Sequence, residues 1–285
     1  MPESFSSSNT GEMNAVITTK LREFACTLRT MAKEGSSMEE LRAEKESMMA
    51  TVYRMLCICL GTPPETFDFE IRDKDNNFIC DYGLTPMTFY EKFIGIDLTE
   101  YVSIINAPTK DKPYMHSYTV KYLGNVMGGT PVRYDNLPIE ELKKAAIAQM
   151  KDGEPVWFGC DVGKESHRKN GTMDLSAYDL GALFDTTFPM TKAQRLDYHH
   201  SQMTHAMVFQ GVDLKENGEP IRWCVENSWG EDAGAKGMYL MTDDWFNEYM
   251  YQIVVQKKYL TDEVLAAYYS EPIALEPWDP MGSLA

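Results

Sequence analysis

A chain of 285 residues carrying 43 acidic against 27 basic side chains has a formal charge of −16, which argues against general affinity for nucleic acid or anionic membrane. Its 44% apolar and 25% charged content is ordinary for a soluble globular protein, with length enough for one large domain or two smaller ones. No run approaches the roughly eighteen apolar residues of a membrane span. The start, Met1-Pro2-Glu3-Ser4-Phe5, has neither the basic nor the apolar region of a secretory signal, so the expected address is the cytoplasm and the six cysteines read as free thiols.

Met13, Val16, Ile17, Leu21, Phe24, Leu28 and Met31 recur at helical spacing and predict a helix over 12–33; Met38, Leu41, Met48, Val52, Met55, Cys59 and Leu60 predict a second over 38–60. Gly35-Ser36-Ser37 separates them, and Ser37 followed by Glu40 forms a capping-box pattern, so the two make a helical hairpin. Cys57-Ile58-Cys59 lies within the second helix's apolar run and reads as packing, since a zinc knuckle or redox dithiol needs two intervening residues. Gly61-Thr62-Pro63-Pro64 ends the hairpin. Phe67–Ile71 alternates as a strand, and 73–77 is a polar turn. It departs from a calcium loop by having Phe78 and Leu84 where Gly and Glu are required. Thr85-Pro86 opens a short helix to Phe93 that stops at Gly95. These residues, 1–95, form the expected first region, and 96–285 the second.

Residues 96–137 hold five tyrosines and three prolines, a composition of strands and packed surface loops. Leu137-Pro138 introduces a helix through Met150, with Leu142, Ala145, Ala146 and Met150 on one face. Pro155–Asp161 is short and apolar, the pattern of a buried strand. Strands follow at 204–212, 220–227, 237–241 and 251–255, with a helical turn at 243–249; they predict an antiparallel sheet that curls on itself. The expected class is therefore α+β. The last 25 residues contain five acids and no base.

Chemistry concentrates in the strand pair. His205 begins an apolar strand between the small residues Thr204 and Ala206. A lone histidine there is more often a core residue donating to a backbone carbonyl. Asn227 ends the next strand, and Asn217-Gly218 supplies the hairpin turn between them. An amide oxygen accepting from the imidazole fixes the tautomer and aims the other ring nitrogen at a partner, and Trp229 could cover that bond from water. His199 and His200 do not have the spacing of a helical metal-ligand pair, and no metal or other cofactor is expected. Asp161 and Asp213 end strands, but nothing specifies the separation that a paired-carboxylate hydrolase requires.

Thr204-His205-Ala206-Met207 and Trp223-Cys224-Val225-Glu226-Asn227-Ser228-Trp229-Gly230 resemble the papain-type cysteine peptidases, and more narrowly the aminopeptidase C and bleomycin hydrolase family. Supporting strings are 155–163, Asp243-Asp244-Trp245-Phe246 and the C-terminal 276–285. The resemblance implies a papain-like fold, a thiol protease acting as an aminopeptidase, peptide substrates, and a hexameric homo-oligomer. It covers nearly all of this chain and about the C-terminal two thirds of a family member.

In such enzymes a Gln and a Cys, the latter in a Gly-x-Cys-Trp string at a helix N-terminus, lie upstream of the matched region. None of Cys26, Cys57, Cys59, Cys80, Cys160 or Cys224 has that setting. His205 therefore carries over as the base and Asn227 as its orienting partner; the nucleophile is unassigned, and an N-terminal cysteine lobe is expected to be missing. The resemblance also places the last residues in the cleft, where the Ala285 carboxylate would meet the substrate's α-ammonium. The expectation is a cysteine aminopeptidase fragment, inert alone. The alternative is a non-catalytic pseudoenzyme or assembly subunit that keeps the fold.

Overall fold

The computed structural model describes residues 10–124, 126 and 128–283. Contacts divide the chain into two compact units, the first ending at Ile96 and the second beginning at Asp97. In the first, helix α1 (Gly11–Lys33) packs on α2 (Met38–Leu60). The capping box forms: Glu40 N donates to the Ser37 hydroxyl at 3.2 Å, and Ser37 N donates to the Glu40 carboxylate at 2.7 Å. Strands β1 (Phe67–Arg72) and β2 (Phe78–Leu84) pair antiparallel. In their turn, Asp73 accepts from the backbone of Asp75 and Asn77 at 2.9 and 2.8 Å. The carboxylate is thus committed to folding its own loop.

The helix expected to run to Phe93 changes pitch. It is α-helical over Pro86–Phe89 (α3), then widens to a π turn over Tyr90–Ile94 that Gly95 closes at φ 60°. Gly95 N donates to Tyr90 O at 2.8 Å. Phe89 and Phe93 pack on Phe69 of β1, with centroids 5.0 and 4.7 Å away, so the wide turn serves an aromatic cluster.

The second unit is built on an eleven-stranded sheet. In chain order its elements are β3 (Tyr101–Ile105), β4 (His116–Val120), β5 (Tyr134–Asn136), α4 (Ile139–Lys151), β6 (Val156–Cys160), β7 (Ser166–His167), β8 (Thr172–Met173), α5 (Leu180–Phe184), α6 (Lys192–Asp197), β9 (His205–Leu214), β10 (Pro220–Glu226), β11 (Met238–Thr242), α7 (Asp243–Tyr249), β12 (Met250–Gln256), α8 (Asp262–Tyr268) and β13 (Ile273–Leu275). The strand order is β13-β4-β5-β3-β12-β6-β9-β10-β11-β8-β7. The α+β class is as expected, but the sheet is mixed. β13 on β4, β5 on β3 and β8 on β11 are parallel. Each of these neighbours arrives by a long connection, whereas only a tight hairpin forces strands to run antiparallel.

Alternation sets what each strand buries. On β9, Met207 and Phe209 are buried; on β6, Val156, Phe158 and Cys160; on β10, Trp223 and Val225. Phe158 stacks on Phe209 at 3.9 Å, and Trp223 stacks on Phe246 of α7 at 4.5 Å. Burying each of these rings contributes on the order of 2–3 kcal/mol. This aromatic stack braces β6, β9 and β10 where the candidate site lies.

One buried group works against the fold. The Asp135 carboxylate, fully buried on β5, forms no ion pair among the described residues, and the hydroxyl of Ser117 opposite it has no hydrogen-bond partner there. Burial pushes the Asp135 carboxyl up to about 7. The folded chain then holds a proton that the unfolded chain releases, so the stability present below the ordinary carboxylate range declines as pH rises towards 7. Asp135→Asn is expected to stabilise the chain by about 1–3 kcal/mol at pH 8 and to leave it unchanged near pH 3.5. Denaturant unfolding at the two pH values checks this; equal effects at both would contradict it.

Candidate active site

His205 is the first residue of β9 and Asn227 the first residue after β10. Glu226 pairs with Val208, so Asn227 stands one step further along, diagonal to His205. The period of two that buries Trp223 and Val225 turns Asn227 to the same face. A bulge in β9 at Gln210, between the pairs Cys224–Gly211 and Val225–Phe209, sets this register.

His205 Nε2 lies 2.8 Å from Asn227 Oδ1. The same oxygen accepts from the Ser228 backbone N–H at 2.8 Å. A backbone N–H can only donate, so the amide atom facing it is the oxygen and the imidazole must donate from Nε2. In the neutral ring the lone pair is then on Nδ1, which has no hydrogen-bond partner among the described residues. The Asn227 amide is buried, with its Nδ2 side towards the Tyr239 hydroxyl.

Trp229 covers the pair as its position in the sequence suggests. Its ring centroid is 4.8 Å from that of His205, and it meets Tyr239 edge-on at 6.0 Å. The loop carrying it is held by close backbone packing. A Cβ on Gly234, at φ 61°, would lie 2.4 Å from Met238 O, and one on Gly171, at φ 67°, would lie 2.6 Å from the Gly234 Cα. Gly234→Ala must displace this loop, and is expected to move Trp229 off His205. The check is the change in Trp229 indole chemical shift; an unchanged shift would contradict it.

A buried network that sequence reasoning did not identify supports the segment leading to His205. Asp161, just past β6, accepts from the Ser201 hydroxyl at 2.8 Å and from the Thr204 hydroxyl at 3.2 Å. Ser201 Oγ is 2.7 Å from the hydroxyl of Tyr251, whose pKa burial pushes up so that it stays protonated. Asp161 thus fixes residues on both sides of Met203. Asp213 lies near the far end of β9 in an exposed ion pair with Arg222 at 2.8 Å, so the two carboxylates do not form a pair. His199 and His200 are exposed, and no group of three or more His, Cys, Asp or Glu among the described residues could hold a metal ion.

No cysteine completes the site. Cys160 is the register partner of His205 but is fully buried; burial, with the Asp161 carboxylate beside it, pushes its thiol well above the usual range. Cys224 is exposed on β10 between the buried Trp223 and Val225, so it faces away from the core that they fill. None of the six thiols hydrogen-bonds to His205 among the described residues. Ala285 lies outside the described residues. The arm leading to it is anchored: Asp279 pairs with Lys112 at 2.8 Å, Met281 is fully buried, and the Ser283 hydroxyl donates to Met203 O. Met203 is two residues from His205.

A histidine hydrogen-bonded to an asparagine beside a tryptophan is the geometry that the resemblance to thiol peptidases leads one to expect. The sequence profile of the Peptidase C1-like family matches residues 1–282, and the chain belongs to that family of cysteine peptidases. It is 51% identical over 284 residues to Aminopeptidase C of Streptococcus thermophilus and 45% identical over 289 residues to human bleomycin hydrolase. In both comparisons the match covers all of this chain and 64% of the relative. The crystal structure of PepW from Lactobacillus rhamnosis HN001 superposes with a TM-score of 0.94 at 51% identity, again over all of this chain and 64% of PepW. The chain thus spans just under two thirds of the length of the relatives it matches.

Proposed function

We propose that this chain supplies the base half of a cysteine aminopeptidase site, with His205 as general base and acid and Asn227 as its orienting partner. The observation that carries the reading is the Nε2–H···Oδ1 bond of 2.8 Å, which leaves the Nδ1 lone pair unengaged. Nδ1 would take the proton of a thiol, the thiolate would attack the peptide carbonyl, and the imidazolium would return the proton to the leaving amine. Water activated by the same nitrogen would then release the acyl group. The thiol would come from polypeptide outside these 285 residues, since none of the chain's own cysteines is placed to donate it.

Aminopeptidase specificity is supported by the docked arm. The Ser283 hydroxyl donates to Met203 O, two residues before His205. A carboxylate on Ala285 would pair with a substrate α-ammonium and exclude longer N-terminal extensions. Peptide substrates, a hexameric homo-oligomer and a cytoplasmic address belong to the same proposal through the family resemblance alone.

The test combines the chain with the N-terminal part of the Streptococcus thermophilus relative that it does not cover, and assays aminoacyl amides. Thiol-dependent turnover is expected from the pair and not from the chain alone. Turnover by the chain alone would contradict the external thiol, and an assembled but inert pair would contradict the peptidase reading.

A further inference from the structure

Resting on the peptidase reading, we infer that Arg168 is a specificity-determining residue that receives a carboxylate of the peptide beside His205. Arg168 lies at the tip of the β7–β8 hairpin, and its guanidinium carbon is 4.6 Å from the centre of the Trp229 ring. Trp229 in turn lies 4.8 Å from His205, so indole, imidazole and guanidinium form one contiguous group. A guanidinium over an indole face makes a cation–π contact and keeps its N–H donors available to a carboxylate.

The position is built rather than incidental. The Arg168 carbonyl accepts from the Tyr239 hydroxyl at 3.1 Å and from Gly234 N at 3.2 Å, which pins the hairpin tip to the loop carrying Trp229. Gly171 N donates to His167 O at 2.9 Å and closes the turn. The side chain is exposed, and no carboxylate or other acceptor among the described residues engages its guanidinium, although Glu231 and Asp232 lie on the same loop as Trp229. Lys169 and Lys236 are also exposed and unpaired with any acid among the described residues.

Reach fits a peptide. An extended residue spans about 3.5 Å, so an acidic side chain or a C-terminal carboxylate one or two residues from the bond at His205 falls within the distance set by the two stacking contacts. The ligand class is therefore a short peptide carrying a carboxylate on that side.

The experiment follows the Trp229 indole resonance of the 285-residue chain during titration with Ala-Glu and with the neutral Ala-Gln amide, in wild type, R168Q and R168K. Ala-Glu is expected to bind at least about threefold more tightly than the neutral peptide in wild type, with the preference eroded by 0.5 M salt, on the order of an exposed charged pair. R168Q should abolish the preference, and R168K should retain part of it. Equal affinity for the two peptides, a preference that survives in R168Q, or no indole response to either peptide would each overturn the inference. The reconstitution assay with neutral aminoacyl amides does not involve Arg168, so the peptidase reading stands or falls separately.

Discussion

In the enzyme reconstituted from this chain and the missing part of a relative, His205→Ala is expected to reduce kcat/KM by about 10⁴-fold or more. Removing the base of a nucleophile–base unit disables the unit as a whole, leaving only binding and electrostatic contributions. Asn227→Ala should act through the ring rather than on the substrate. Without Oδ1, Nε2 loses the acceptor that keeps the proton there, the tautomers mix, and the imidazole can turn. A loss of about 10–100-fold in kcat with little change in KM is expected, the usual scale for removing an orienting partner. Asn227→Gln should not rescue, because the longer side chain cannot keep its oxygen at the same point between Nε2 and Ser228 N. Steady-state kinetics on an aminoacyl amide decides it. Equal activity of wild type and His205→Ala would remove His205 from the reaction.

The second large effect concerns the arm. Lys112 is 6% exposed and bridges Asp111 at 2.9 Å and Asp279 at 2.8 Å. Burial opposes its charge, yet the hydrogen bonds it donates to the two carboxylates outweigh this and hold its pKa above the usual lysine value. Lys112→Met would leave the Asp279 carboxylate nearly buried without its cation, a change that costs about 3 kcal/mol. Asp279 also accepts from Met281 N at 2.9 Å, so the turn that seats Met281 should loosen with it. Lower stability and faster amide exchange over 279–283 are expected together. Replacing both partners, as Lys112→Met with Asp279→Asn, should recover most of the loss, because the only carboxylate then left without its cation is the exposed Asp111. A Lys112→Met chain within about 0.5 kcal/mol of wild type, the range of a neutral surface change, would show that the ion pair does not hold the arm.

Much of this architecture is legible in local pattern. The 3.6-residue period and the Ser37–Glu40 box fix α1 and α2 nearly to the residue, and Asn217-Gly218 with flanking alternation fixes β9 and β10. Gly218 adopts φ 86° in that turn, a conformation glycine enters without a side-chain clash. Residues 162–203 are not legible in the same way. Their strands β7 and β8 have two residues each, and α5 and α6 five and six, too short for any period to emerge. β8 exists because Gly171 lets its hairpin approach Gly234. The parallel pairings depend on which distant segments meet, which neither alternation nor turn chemistry encodes.

The site divides along the same line. His205 and Asn227 belong to one hairpin, so their meeting follows from strand period and turn. Asp161 is visible as a strand-end acid, but its work is done on Ser201 and Thr204, forty residues away in sequence, and only packing brings them together. Arg168 over Trp229 is likewise a contact between loops with no common period. The thiol is the one element that no reading of these residues supplies, because none of the six cysteines lies against the imidazole.

The most direct measurement is the ¹⁵N spectrum of the histidine rings in the purified 285-residue chain, with His205 assigned by substitution. The neutral ring is expected to carry its proton on Nε2, with an unprotonated Nδ1, and Asn227→Ala is expected to mix the tautomers. A neutral His205 protonated on Nδ1, or one indifferent to Asn227, would contradict it.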